Sequence, residues 1–134
     1  MSAKSHTTVG DLMGSAIYSI DGLATVAEAI ELMKQHNVSS LIVNRRDHTD
    51  EVGLVVVSDI ARQVIAQNHS PERVNVYEIM SKPVLTLPSD MLTSYAVRLL
   101  ERFDISRAVV VDEDREPLGI ITLRDLVMGH QTGS

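Results

Sequence analysis

The residues of this chain that are best suited to chemistry are Thr122, Arg124 and Asp125, which follow a short apolar run. Residues 119–122 predict a buried strand, and the stretch that begins at Asp125 predicts a helix. A strand that passes directly into a helix places the hydroxyl and the carboxylate at the carboxyl end of the strand, where ligands often bind. The pattern therefore indicates a small polar site at this edge.

The same shape occurs earlier in the chain, where residues 53–60 repeat the pattern of residues 119–126. In this earlier copy Asp59 keeps the carboxylate, but Val56 stands in the place of Thr122 and carries no hydroxyl. The two halves of the chain match at an offset of 67 residues, which becomes 66 after the first loop because that loop is one residue longer. Two copies of this length predict a pseudo-twofold pair that buries a shared face.

Each copy predicts the element order β-α-β-β-α. The predicted strands are residues 16–20, 41–43, 52–57, 84–87, 108–111 and 118–123. Two capping-box spacings, Thr8 with Asp11 and Thr25 with Glu28, predict helix starts. The helix side chains expected to face the core are Val26, Ala29, Ile30, Met33, Ile60, Val64, Ile65, Leu92, Ala96, Leu99 and Phe103. We expect repeats at residues 8–67 and 76–129, a linker at 68–75 and a mobile tail at 130–134.

Composition narrows the class of protein. The chain has 134 residues, of which 44% are hydrophobic and 22% charged, and this balance predicts a folded core. A formal net charge of −6 disfavours nucleic acid as a partner. The lack of cysteine excludes a disulfide and a cysteine nucleophile. No apolar run approaches the ~20 residues of a membrane span, and the N-terminus lacks the apolar core of a signal peptide, so we expect a cytoplasmic protein that does not bind membranes.

Catalysis and metal binding find little support in the residue pattern. The five histidines do not pair with another histidine or an acid at a spacing that suits a metal. Asp59 and Asp125 could be imagined as paired catalytic carboxylates, but no nucleophile or glycine-rich phosphate loop accompanies them. We therefore expect a non-enzymatic protein without a metal or a catalytic cofactor.

Taken together, these residues resemble the CBS domain family in its tandem arrangement, the Bateman module. The resemblance covers nearly everything from Thr8 to Gly129 and rests on four short patterns: Asp-Leu-Met at 11–13, Val-Ser-Ser-Leu at 38–41, Ile-Ser-Arg-Ala at 105–108 and Gly-x-x-Thr-x-x-Asp at 119–125. It implies an α+β fold of two β-α-β-β-α repeats packed through their sheets. It also implies a homodimer and regulatory binding of an adenosyl ligand (AMP, ADP, ATP, S-adenosylmethionine or NAD), with the output in an unknown protein partner.

The resemblance further implies two clefts, each with base contacts from one repeat and a ribose-binding hydroxyl and carboxylate from the other. The first cleft would join Ala16, Ile17, Ser39 and Ser40 with Thr122 and Asp125. The second would join Pro83, Val84, Ser106 and Arg107 with Val56 and Asp59. The cations nearest to a bound phosphate would be Arg107 and Arg124, then Lys82, and more weakly Arg62.

The two clefts are not expected to bind equally. An ionised carboxylate can accept hydrogen bonds from both hydroxyls of a ribose, and Thr122 can add a donor or an acceptor. Val56 cannot. One lost neutral hydrogen bond, about 0.5–1.5 kcal/mol, predicts roughly two- to tenfold weaker binding in the second cleft. The sequence therefore favours the cleft that contains Thr122.

Each of these residues also has a purely structural interpretation. Asp59 and Asp125 are suited to capping the N-termini of helices, and Thr122 taken alone is an ordinary strand residue. Loop hydrogen bonds or a surface salt bridge are the corresponding alternatives for Ser39, Ser106 and Arg107. A dimerisation or docking module with unused clefts is the alternative to a ligand-binding protein.

Overall fold

The structure, a computed structural model, describes residues 7–130. These residues divide into two compact units. The terminal unit joins residues 7–17 to residues 85–130, and the central unit runs without interruption from Tyr18 to Val84. The expected lack of a signal peptide concerns residues outside the described range, as does the expected mobile tail apart from His130.

The elements alternate as the repeats predict. In chain order they are α1 (Val9–Leu12), β1 (Ser19–Ile20), α2 (Val26–His36), β2 (Ser40–Val43), β3 (Gly53–Val56), α3 (Val57–Ile60), a π-helical segment (Ala61–Ile65), two short 3-10 helices (Pro71–Arg73 and Val76–Glu78), β4 (Thr86–Pro88), α4 (Thr93–Arg102), β5 (Arg107–Val111), β6 (Pro117–Thr122) and α5 (Leu123–Met128). Within residues 7–130, none of these helices has both the length and the apolar character that crossing a membrane requires.

Each unit contains one sheet of three strands. In the central unit β1 pairs parallel with β2, which pairs antiparallel with β3. In the terminal unit β4, β5 and β6 repeat this arrangement. The predicted α+β fold with a duplicated element order is confirmed. The registers place Ser40 opposite Val56 in one sheet and Arg107 opposite Thr122 in the other.

Each sheet packs one face against the helices of its own unit. The fully buried side chains of the central core include Val26, Ala29, Leu41, Val55, Val64 and Val76. Those of the terminal core include Val9, Ala96, Leu100, Val110 and Leu126. The branched strand residues and the helix residues at spacings of three and four thus bury the faces that their periodicity predicts.

Two side chains that were predicted to face the core are exposed. Ile65 is 56% exposed, because the N–H of Ala66 bonds to the carbonyl of Ala61 at 2.8 Å and this wider turn rotates the following residues. Phe103 is 57% exposed, since α4 ends one residue before it, and Leu100 is the fully buried side chain in that last turn. Both predictions assumed an uninterrupted α-helical period.

Candidate ligand-binding site

Thr122 and Asp125 form a complete capping box where β6 passes into α5. The Asp125 N–H donates to Thr122 Oγ1 at 3.0 Å, and the Thr122 N–H donates to Asp125 Oδ2 at 3.0 Å. Thr122 has extended backbone angles, as an N-cap residue requires. The structural interpretation of this pair as a helix cap is therefore correct, and any contact with a ligand would come in addition to it.

The cap leaves hydrogen-bonding capacity at the edge of the sheet. In the capping box of α2, the Thr25 hydroxyl donates to Glu28 Oε1 at 3.1 Å. The Thr122 hydroxyl donates to no other group of the described residues, and Asp125 Oδ1 accepts no hydrogen bond from them. Both side chains are partly exposed. One hydroxyl donor and one carboxylate oxygen of these partly exposed residues thus have no hydrogen-bond partner among residues 7–130.

Two arginines without a carboxylate partner adjoin this pair. Arg107 lies opposite Thr122 in the β5–β6 register, so the two side chains project from the same face of the sheet. Arg124 is the second residue of α5 and is exposed. Neither forms an ion pair within residues 7–130. The edge therefore combines an acceptor for hydroxyl groups with cations for an anionic group.

The chain segment that precedes Ala16 and Ile17 is fixed beside β6. Gly14 and Ile120 exchange two backbone hydrogen bonds of 3.0 Å each. A Cβ atom on Gly119 would lie 2.5 Å from the carbonyl oxygen of Gly14, so glycine is what permits this close approach. Ala16 and Ile17 thus belong to the unit that contains α5, although no hydrogen bond joins them to its capping box.

The serines of the predicted clefts are held by local backbone contacts. The Ser106 carbonyl accepts from the Leu123 N–H at 2.9 Å, next to the start of α5. The Ser39 carbonyl accepts from the Val57 N–H at 2.9 Å, next to the start of α3. Ser39 and Ser40 therefore belong to the central unit. Their predicted role in the cleft of Thr122 and Asp125 stays a prediction.

At the matching edge of the central unit, both oxygens of the aspartate accept hydrogen bonds from the protein. The Val56 N–H donates to Asp59 Oδ2 at 3.2 Å, and Arg62 Nη2 donates to Asp59 Oδ1 at 3.1 Å. Asp59 is only 7% exposed, so its charge lies against its partner rather than in water. Arg62 was predicted only as a weak phosphate candidate, and its pairing with Asp59 was missed, although their i, i+3 spacing could have indicated it.

The segment that leads to Pro83 and Val84 is fixed beside β3. Ser81 and Leu54 exchange backbone hydrogen bonds of 2.8 and 3.0 Å, as Gly14 and Ile120 do in the other unit. Pro83 is exposed and Val84 is partly buried. In both units, the segment that leads to these predicted ligand contacts is thus held beside the last strand of the sheet in the same way.

Lys82, the third phosphate candidate, is already paired. Its Nζ lies 2.7 Å from Asp50 Oδ1, and Arg46 donates to Asp50 from its backbone N–H at 2.9 Å. The Lys82 ammonium and this N–H hold the pKa of Asp50 well below its usual range. The charge of Lys82 is therefore compensated within the protein. Within residues 7–130, no group of three or more His, Asp or Glu side chains is placed to hold a metal ion.

Proteins of known sequence and structure match most of the chain. An uncharacterized protein of Methanopyrus kandleri is 30% identical over 121 residues, which are 90% of this chain and 61% of that protein. A hexameric CBS-CP12 protein from bloom-forming cyanobacteria superimposes with a TM-score of 0.90 at 33% identity, over 96% of this chain and 75% of that one. A CBS domain pair solved in complex with 5′-methylthioadenosine and S-adenosyl-L-methionine superimposes with a TM-score of 0.78 at 27% identity, over 92% of this chain and 94% of that one.

The family model named CBS domain matches the chain twice, at residues 9–66 and 76–129. These two matches span the duplicated element order and both capping aspartates, Asp59 and Asp125. The two solved structures described above are CBS proteins as well. The chain therefore belongs to the CBS domain family and contains a pair of CBS domains.

Proposed function

We propose that the protein is a non-enzymatic regulatory module that binds an adenosyl ligand at the Thr122–Asp125 edge of the terminal unit. The observation that carries this proposal is the carboxylate oxygen Asp125 Oδ1, which has no partner among the described residues and lies beside a free hydroxyl donor. The two hydroxyls of a ribose are suited to it, because hydrogen bonds to a charged group contribute about 1.5–3 kcal/mol each. Ribose recognition is thus the expected source of affinity.

The rest of the ligand is constrained by its charge. Arg107 and Arg124 favour a ligand that carries phosphate or carboxylate, since neither arginine forms an ion pair with another of the described residues. AMP, ADP, ATP, NAD and S-adenosylmethionine all satisfy this condition. The CBS pair that is 27% identical and was solved with 5′-methylthioadenosine and S-adenosylmethionine supports the adenosyl part of the proposal.

The regulatory output would be a change in conformation that a protein partner recognises. A ligand can shift such an equilibrium only by the difference in its affinity for the two conformations. The helix cap at Thr122 and Asp125 would couple the ligand to this change, because a bound ribose would contact the first turn of α5 directly.

A panel of ligands tests the proposal. We expect at least one of AMP, ADP, ATP, NAD, S-adenosylmethionine and 5′-methylthioadenosine to bind in isothermal titration calorimetry and to raise the melting temperature. At a ligand concentration of 100 times the dissociation constant, binding should raise the free energy of unfolding by about 2.7 kcal/mol. The 2′,3′-dideoxy analogue of the best ligand is the matched control and should bind at least tenfold more weakly. No binding by any member at millimolar concentration would refute the proposal.

The alternative function is a dimerisation or docking module whose ligand edge is unused. Four large apolar side chains on or beside helices α4 and α5 favour it, since each is more than half exposed: Tyr95, Phe103, Val127 and Met128. Helices α4 and α5 contact each other, and exposed apolar side chains on neighbouring helices often mark protein contacts. Light scattering after size exclusion tests it. A stable oligomer together with a blank ligand panel would support this alternative, and a monomer would exclude its dimerising form.

A further inference from the structure

We propose that Arg62 closes the central unit's counterpart of the ligand site by occupying Asp59, and that it thereby limits the protein to one adenosyl ligand per chain. The ligand in this inference rests on the proposed function. The closure itself rests on contacts within the central unit. Arg62 would thus be a specificity-determining residue, because it decides which of two similar carboxylates can receive a ribose.

Both oxygens of the Asp59 carboxylate are engaged by the protein. Oδ1 accepts from Arg62 Nη2 at 3.1 Å and Oδ2 accepts from the Val56 N–H at 3.2 Å. Oδ1 can accept a second hydrogen bond, but the residue is only 7% exposed, so a ribose hydroxyl would reach Oδ1 by displacing the guanidinium. That exchange would replace a charged partner with a neutral one, although the Arg62 side chain is itself 66% exposed and the ion pair is correspondingly weaker than a buried one.

The terminal unit lacks this internal competitor. At the offset of 66 residues, Met128 stands in the place of Arg62 and Thr122 in the place of Val56. A methionine side chain has no hydrogen-bond donor, and Met128 is 69% exposed. Two substitutions therefore separate a carboxylate with a free oxygen from one whose oxygens are both occupied.

A second internal ion pair reinforces the closure. Lys82 is bound to Asp50 at 2.7 Å, so the cation next to Pro83 and Val84 is unavailable to a phosphate. The residue that matches Lys82 in the terminal unit is Ser15, which carries no charge. In the central unit, Asp59 and Lys82 are thus each paired with an oppositely charged side chain of the same unit.

Grafting the two residues of the terminal unit onto the central unit tests this inference. The double variant V56T/R62M should raise the stoichiometry of AMP or S-adenosylmethionine, titrated separately by calorimetry, from one to two per chain. The single variant V56T keeps Arg62 and should stay at one. V56T/R62Q, which retains a neutral amide at position 62, serves in place of the methionine graft if V56T/R62M fails to unfold cooperatively.

The outcomes separate the two proposals. Two sites in the graft and one in the wild type support both, and the triple variant V56T/R62M/D125A should then keep one site. A graft that stays at one site, or a wild type that binds two ligands equally, overturns the role of Arg62 alone. Binding by the graft but not by the wild type supports Arg62 and overturns the site at Thr122. No binding by either protein overturns both.

Discussion

Residues 56–62 and 122–128 have the same backbone plan and different chemistry. In each, a strand ends at a residue whose N–H donates to Oδ2 of an aspartate three positions later, at 3.2 Å in the first and 3.0 Å in the second. The cap is therefore a requirement of the fold that both copies satisfy. Two features differ: Thr122 adds a side-chain cap that Val56 cannot, and Arg62 donates to the second carboxylate oxygen in the first copy, whereas that oxygen has no described partner in the second. An aspartate at this position is thus weak evidence for a ligand, and the state of its other oxygen is much stronger evidence.

Removing each carboxylate is the strongest test of this comparison. Asp125→Ala should cost about 3 kcal/mol of ligand binding, roughly 150-fold, because two charge-assisted hydrogen bonds are lost. Asp59→Ala is the matched control and should change affinity less than threefold. Calorimetry measures both, with circular dichroism to confirm folding. Equal losses of affinity in the two variants, or a larger loss in Asp59→Ala, would contradict the assignment of the ligand to the terminal unit.

Replacing the matching glycines, Gly119 and Gly53, by alanine should lower the free energy of unfolding by different amounts. Gly119→Ala should lower the free energy of unfolding by about 1–3 kcal/mol, since its Cβ would lie 2.5 Å from a backbone oxygen of Gly14. Gly53→Ala should cost less, because its nearest contact, at 2.8 Å, is the flexible side chain of Met80. Urea unfolding of both variants measures the difference. A greater loss in Gly53→Ala would show that the close approach of Gly14 to Gly119 is not the tighter of the two contacts.

Arg107 should matter only for the anionic part of the ligand. Arg107→Ala should weaken AMP by about 1.4 kcal/mol, or tenfold, and leave adenosine unchanged, because the lost group is a charged donor. Arg102→Ala, at the exposed end of α4, is the control of equal charge. Calorimetry at two salt concentrations checks the result. A similar loss for AMP and adenosine would show that Arg107 does not read the phosphate.

The hydroxyl of Thr122 should make a smaller difference. Thr122→Val copies the residue at position 56 and should weaken the ligand two- to tenfold, for the loss of about 0.5–1.5 kcal/mol. It should also destabilise the fold by about 0.5–2 kcal/mol, because the N-cap is lost. Thr122→Ser retains the hydroxyl and is the control for both measurements. Full affinity in a folded Thr122→Val variant would limit this residue to its capping role.

The smallest expected effect concerns the ion pair of the central unit. Because its partners lower the pKa of Asp50, the pair should stabilise the folded state above the unfolded pKa of about 3.9 and lose that contribution as the pH falls further. Lys82→Met should therefore be less stable than the wild type at pH 7, with a difference that shrinks below pH of about 4. Urea unfolding at several pH values measures it. A stability difference between the wild type and Lys82→Met that grows as the pH falls would contradict the predicted pH dependence.

Much of the fold could be predicted because its signals are local. The duplicated element order and the capping boxes of Thr25 and Thr122 follow from spacings of three or four residues, which the helix geometry fixes. The exposed position of Ile65 could not be predicted, since a single π-type hydrogen bond changes the helical phase without any marker in the sequence. Periodicity is informative only while the helix type stays constant.

The sequence names the residues of the proposed site, but it does not show how the charged groups pair. Thr122 and Asp125 follow from the repeat and the resemblance, whereas the position of Arg107 opposite Thr122 comes from the sheet register. The pairing of Arg62 with Asp59 was missed, because a cation near a carboxylate can bind either the protein or a ligand, and only geometry decides between them. Lys82 and Asp50 are 32 residues apart, so nothing local in the sequence relates them.

The exchange of backbone hydrogen bonds between Gly14 and Ile120 also affects the order in which the protein can be made. The central unit is one continuous stretch, so all of its residues have been synthesised once Val84 is added. In the terminal unit, in contrast, residues 7–17 are synthesised early but cannot reach their native contacts until β6 and α5 have been synthesised. The edge that we propose for the ligand therefore cannot form during translation before α5 has been synthesised.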